Sequence, residues 1–130
     1  MRTGRAILAG LLFAFALQAQ RVTVTVMATT DLHGYIYPYD YYTGKPAERG
    51  LAKIATLVRH EPHSLLIDCG DTIQGSPLES VHQHAVRVGK SLGPDPMMLA
   101  MNQLGYAAMV VGNHEFNFGL QNLERARSEA

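Results

Sequence analysis

Five residues in this chain combine types and positions that suit chemistry at a metal centre. Asp31 and His33 lie in "TTDLHG", Asp71 in "DCGDTIQGSP", and Asn113 and His114 in "GNHEFNFGL". Carboxylate and carboxamide oxygens with imidazole nitrogens make a donor set for zinc, manganese, iron or cobalt, among which the donors do not choose. A carboxylate has two oxygens and can bridge two ions, and a metal pair can clamp a phosphoryl group and generate hydroxide near neutral pH. Taken singly, each residue also reads as a turn or helix cap, since Asp and Asn at strand ends often hold their own backbone. What separates the five from that reading is their common placement after strand-like runs, beside Gly34, Gly70 and Gly112, where the backbone can approach closely.

The elements that must position them follow from the hydrophobic pattern. "VTVTVMATT" (Val22 to Thr30) alternates and predicts a strand. "SLLIDCG" is a short apolar run that predicts a strand buried on both faces, and "YAAMVVG" (Tyr106 to Gly112) is a third strand. Between them, Leu51, Ile54, Ala55 and Val58 share a helical face. Asp95, Pro96 and Gly105 supply the cap, first turn and exit of a helix whose Met97, Met101 and Leu104 fill a core. A last helix starts on Leu120 and Leu123. Strands alternating with helices predict an α/β fold, and in such sheets ligands bind beyond the carboxyl ends of the strands, where all five candidates fall.

Other polar groups are read more plainly. His60, His63, His82 and His84 are expected at the surface, with the rings of His82 and His84 pointing to different helix faces. Asp68 is expected to hold the Asp71 loop by accepting backbone hydrogen bonds, and Glu115 to solvate a helix start. The lone Cys69, among Leu65, Leu66 and Ile67, is expected to be a buried thiol without an internal disulfide partner. "YIYPYDYY" either lines a substrate cleft or packs as a surface loop.

Composition bounds the rest. The chain has 130 residues, 47% hydrophobic, which suits one packed domain. With 11 basic and 11 acidic residues and no basic run, no binding to nucleic-acid polymers is expected. Arg2 and Arg5 precede an apolar stretch from Ala6 to Leu17 that includes small residues near its end, Ala14 and Ala16, with Ala19 beyond it. Residues 1–19 therefore read as a secretory signal peptide, too short in its apolar part for a spanning helix, and an exported periplasmic or cell-surface protein without stable membrane insertion is expected. An uncleaved N-terminal anchor is the alternative.

The three motifs resemble the first three of the calcineurin-like metallophosphatases. "GDTIQGSPL" resembles the nucleotidase branch, and "DLHGYIYPYDYY" with the Asn of "NHEFNFG" is most similar to bacterial 2',3'-cyclic-nucleotide 2'-phosphodiesterase/3'-nucleotidases. The resemblance implies a four-layer α/β/β/α sandwich, with residues 20–130 as its N-terminal portion. It implies that Asp31 and His33 hold one divalent metal, that Asp71 bridges two, and that Asn113 holds the second. His114 is then the catalytic group that donates a proton to the leaving oxygen or stabilises the transition state while metal-bound hydroxide attacks phosphorus. Two departures stand out. Relatives acting as 5'-nucleotidases carry Asp where this chain has Asn117, which favours 2',3'-cyclic nucleotides and 3'-nucleotides as substrates over a 5'-nucleotidase or UDP-sugar hydrolase. The family's later Gly-His-x-His motif is absent after Leu123, so the chain reads as an N-terminal fragment, either of an active enzyme or as an inactive metal-binding piece.

Overall fold

The computed structural model describes residues 21–90 and 92–130, so the expected signal segment at residues 1–19 lies outside the described residues. The central element is a parallel sheet in which β1 (Val26–Thr29), β4 (Leu65–Asp68) and β5 (Ala108–Met109) lie in the order β1-β4-β5. Between β1 and β4 come a small antiparallel hairpin, β2 (Tyr39–Asp40) with β3 (Lys45–Pro46), and helix α1 (Leu51–His60). Helices α2 (Pro77–Arg87) and α3 (Pro96–Leu104) connect β4 to β5, and α4 (Leu120–Glu129) follows a one-turn 3-10 helix at His114–Phe116.

The strands pair in a register that sorts their side chains. Val26 sits beside Leu65, and Ala28 beside Ile67 beside Ala108. On the opposite face Met27 pairs with Leu66, and Thr29 with Asp68 with Met109. Successive residues of a strand point to opposite faces, so each file lies on one side. Leu66 and Asp68 are buried, whereas Leu65 and Val26 remain 45% and 53% exposed. The helices thus cover one side of the sheet, giving one sheet and one helical layer. β4 is buried on one face only, unlike the expected strand covered on both. Cys69 extends the open file of Leu65 and Ile67, which is why this thiol is exposed rather than buried.

The core beneath the sheet joins Leu32, Leu51, Ile73, Met97, Met98, Met101 and Ala126, with Tyr106 and Met109 packed against it. Helix α3 lies at its centre, and its ends match their sequence signals. Asp95 Oδ1 accepts the N–H groups of Met97 (2.9 Å) and Met98 (3.3 Å), Pro96 opens the first turn, and Gly105 closes the helix in the left-handed region. Helix α4 instead buries Asn122 and Ala126 and leaves Leu120 67% exposed, so its inner face is not the expected one. The first and third strands are shorter than the patterns of Val22 to Thr30 and Tyr106 to Gly112 imply, because the ladder extends only where β4 supplies a partner.

Candidate functional site

Beyond the carboxyl ends of the strands the chain continues as three loops that bind one another. The first two are joined by backbone hydrogen bonds from Asp31 N–H to Gly70 O (3.0 Å), His33 N–H to Asp71 O (3.0 Å) and Gly34 N–H to Thr72 O (2.8 Å). Three non-glycine residues here have positive φ: Asp31 at 54°, His33 at 47° and Asp71 at 60°. Left-handed backbone costs an ordinary L-residue about 1–2 kcal/mol. All three sequence-predicted Asp and His residues of the first two loops adopt it, and such strain concentrates where surrounding structure holds a functional side chain in place.

The third loop is tied to the second by Glu115. This side chain is fully buried, and its carboxylate accepts four backbone N–H groups. Oε2 takes those of Gly112 (2.7 Å) and Asp71 (2.8 Å), and Oε1 those of Thr72 (2.5 Å) and Ile73 (3.3 Å). Glu115 is therefore an internal clamp and not the solvating residue expected. Its sequence signal was slight: an acidic residue just after a strand end, opposite a loop with unpaired N–H groups. Asp68 does hold the second loop as expected. Its Oδ1 accepts from Gly70 N–H (2.9 Å) and Thr72 Oγ1 (2.8 Å), and its Oδ2 from Thr29 Oγ1 (2.6 Å). The loops also leave no room for side chains at Gly70, where a Cβ would come within 2.5 Å of the Gly112 nitrogen.

This scaffold brings His33, Asp71 and His114 together, with one potential donor atom of each within 4.8 Å of the others. Asp31 joins them, its Oδ1 3.6 Å from His33 Nε2. His33 Nδ1 lies 3.0 Å from Gln74 O, so Nδ1–H donates to that carbonyl and the Nε2 lone pair is left for a cation. Asp71 Oδ1 accepts the His114 backbone N–H (2.9 Å), and its other oxygen takes no hydrogen bond among the described residues. The rings of His33 and His114 meet edge to face at 5.1 Å. Asn113 is exposed at the head of the 3-10 turn, between Gly112 and His114. Asn117 Nδ2 is 3.0 Å from His114 Nδ1. The amide thus donates to this ring instead of accepting from it, and a neutral His114 carries its proton on Nε2. These oxygen and imidazole donors, half-exposed and held by secondary hydrogen bonds, fit a divalent first-row metal.

His60, His63 and His84 are exposed, as expected, and His84 and His82 do face different ways. His82, however, is only 4% exposed and lies beside Glu79 and Asp95 in the interior. The tyrosine loop packs on itself: Tyr35 and Tyr41 stack at 5.5 Å, and the Arg49 guanidinium lies 4.7 Å over the Tyr35 ring.

Comparison with known proteins agrees with this geometry. The calcineurin-like phosphoesterase family matches residues 24–129, and the chain belongs to that family of metal-dependent phosphoric ester hydrolases. Among individual relatives, it is 40% identical over 119 residues to the 2',3'-cyclic-nucleotide 2'-phosphodiesterase/3'-nucleotidase of Yersinia enterocolitica, covering 87% of this chain and 18% of that protein. It is 35% identical to the 5'-nucleotidase of Bos taurus, over 77% of this chain and 17% of that one. The crystal structure of the calcineurin-like phosphoesterase YfkN from Bacillus subtilis superposes with a TM-score of 0.72 at 37% identity, covering 82% of this chain and 34% of that chain. The chain spans about a fifth of the length of these curated relatives. The α/β class and the metallophosphatase fold stand on these likenesses.

Proposed function

We propose that the polypeptide carrying this chain is an exported phosphoesterase with two divalent metals that hydrolyses 2',3'-cyclic nucleotides and 3'-nucleotides. The observation that carries the reading is the convergence of Asp31, His33, Asp71 and His114 on three interlocked loops beyond one parallel sheet edge. In this reading Asp31 and His33 would hold one ion, Asp71 would serve both, and Asn113 would hold the second. When bound, such ions supply Lewis acidity toward the phosphoryl oxygens and a nucleophile at neutral pH.

The chain's own residues do the rest. Gln74 O keeps the His33 proton on Nδ1 and so keeps Nε2 available. Asn117, by donating to His114 Nδ1, places the His114 proton on Nε2, where it can hydrogen-bond a phosphoryl or leaving oxygen as negative charge develops there. A carboxylate at position 117 would favour an imidazolium, and the neutral amide does not. That difference supports cyclic and 3'-nucleotides over the second reading, a 5'-nucleotidase or UDP-sugar hydrolase. The apolar stretch after Arg2 and Arg5 supports export to the periplasm or cell surface, with residues 1–19 as the signal and residues 20–130 as the N-terminal portion of the phosphoesterase domain. Among the described residues, no helix is long and apolar enough to cross a membrane.

The test is hydrolysis of 2',3'-cyclic AMP, 3'-AMP and 5'-AMP by that polypeptide loaded with manganese or zinc. Faster turnover of the first two supports the reading. Preference for 5'-AMP moves it to the second, and no hydrolysis of any overturns it. The residues 1–130 alone give each ion a partial shell, Asp31, His33 and Asp71 at one and Asp71 and Asn113 at the other. Purified alone, they are expected to hydrolyse bis(p-nitrophenyl) phosphate slowly or not at all.

A further inference from the structure

A second cluster of donors lies in the interior, one layer beneath the loop edge, where α2, the cap of α3 and α4 meet. Glu79 and Asp95 are 0% exposed and His82 is 4% exposed. One donor atom from each lies within 4.8 Å of the others, and His82 Nδ1 is 4.0 Å from Asp95 Oδ2. Among the described residues His82 Nδ1 has no hydrogen-bond partner and Glu79 Oε1 meets no N–H or hydroxyl donor, although Glu79 and Asp95 share a hydrogen bond when one carboxyl is protonated. Buried polar atoms without partners are few in folded proteins, and each calls for a cause.

The Met97 and Met98 N–H groups meet Asp95 Oδ1, while the oxygens turned toward His82 meet few donors. A single amide, Gln83 Nε2, faces both carboxylates, at 3.3 Å from Glu79 Oε2 and 3.1 Å from Asp95 Oδ2. The one guanidinium, Arg125, binds Glu129 at 2.9 Å and reaches Asp95 only at 3.7 Å. Burial keeps Glu79 protonated without a metal; were Glu79, Asp95 and Glu129 all ionised, Arg125 would leave two negative charges, which a divalent cation matches. His82 is set for such an ion. Its Nε2 lies 3.2 Å from Gly93 O, so Nε2–H donates to that carbonyl and the Nδ1 lone pair points at the carboxylates. A backbone carbonyl on the far ring nitrogen is how metal-ligating histidines are commonly oriented.

We propose that Glu79 Oε1, His82 Nδ1 and Asp95 Oδ2 form a buried structural site for one divalent transition metal of the zinc class, separate from the catalytic edge. Two carboxylates and an imidazole suit zinc, manganese or iron. Bonds of about 2.0–2.2 Å require the three side chains to close by about 1 Å. The ion would join α2 to α3 and steady the loop above, because a Cβ at Gly34, next to His33, would fall within 2.5 Å of Glu79 Cγ. Its competitor is the proton. Burial, and then the neighbouring Asp95 charge, push the Glu79 pKa up to about 9, so metal entry at neutral pH releases a proton and weakens as pH falls.

The experiment uses zinc alone as the probe and the polypeptide that carries this chain with Asp71→Asn, which disables the catalytic edge. Isothermal titration and metal analysis after gel filtration are expected to show one equivalent of zinc, with a rise in Tm. Adding Glu79→Gln, which is isosteric, is expected to weaken zinc at least tenfold and abolish that rise while the apo chain stays folded. Adding His82→Ala does the same where it folds. Cobalt in place of zinc should give a visible absorption band that Glu79→Gln removes. Zinc binding unchanged by Glu79→Gln, or no equivalent bound by Asp71→Asn, overturns the site. An Asp71→Asn chain that still binds more than one equivalent, with Glu79→Gln removing only one, counts against the catalytic assignment and leaves this site standing.

Discussion

Asp71 carries more of the candidate site than any other side chain. It sits at positive φ, its Oδ1 fixes the His114 backbone, its carbonyl accepts from His33, and its N–H is held by Glu115. Asp71→Asn should therefore lose metal more severely than any other single ligand change, and titration with zinc or manganese of the set of single variants checks the ranking. His114→Ala should behave oppositely, keeping metal while slowing turnover about 10²–10⁴-fold in the polypeptide that carries this chain. If His114→Ala stripped the metal, His114 would be a ligand, a role its place beside His33 and Asp71 also allows. Glu115→Gln puts amide hydrogens against two of four N–H donors. We expect it to destabilise the fold by about 2–3 kcal/mol, read from urea unfolding. The Asp and His residues were legible because their types announce metal chemistry in a strand-end context. Glu115 was not, because its partners lie about forty residues away at Asp71, Thr72 and Ile73, and nothing local marks it as buried.

Among the elements, α2, like α4, has an inner face that a hydrophobic pattern misreads. It buries Glu79, His82, Gln83 and Ala85, so polar residues occupy the positions that periodicity assigns to a core. Helix α3 is the contrary case, legible from cap to exit because Asp95, Pro96 and Gly105 act locally. The polar face of α2 makes stability depend on pH in chelator. Burial, and then the charge of Asp95, push the Glu79 carboxyl up to about 9, with His82 and Gln83 beside it and Arg125 on Asp95. A raised carboxyl pKa means the native state holds its proton more tightly. That contribution is fully present below about pH 4.5 and is lost as pH rises toward 9. Metal-free protein should therefore melt at progressively lower temperature between pH 5 and about pH 9, and Glu79→Gln should flatten the slope. Scanning calorimetry across that range reads both.

At the scale of the molecule, one sheet face is bare. Val26, Leu65 and Val110 are 53%, 45% and 61% exposed, and the apolar file continues through Val22 and Val24. Exposed apolar strands recruit other strands. Residues 1–130 purified alone are expected to associate or to melt broadly, and a sharp monomeric two-state transition in calorimetry and sedimentation would contradict this. The bare face also explains why Cys69 defied its apolar neighbours: alternation placed it on the open side, and a sequence window cannot tell which side is covered. The Glu115 clamp has a further consequence in amide hydrogen exchange. The N–H groups of Asp71, Thr72, Ile73 and Gly112 end on one carboxylate, and that of His114 ends on Asp71. They cannot open one at a time. Deuterium should enter all five in a single subglobal event, whose free energy is that of lifting the 3-10 turn off the sheet edge.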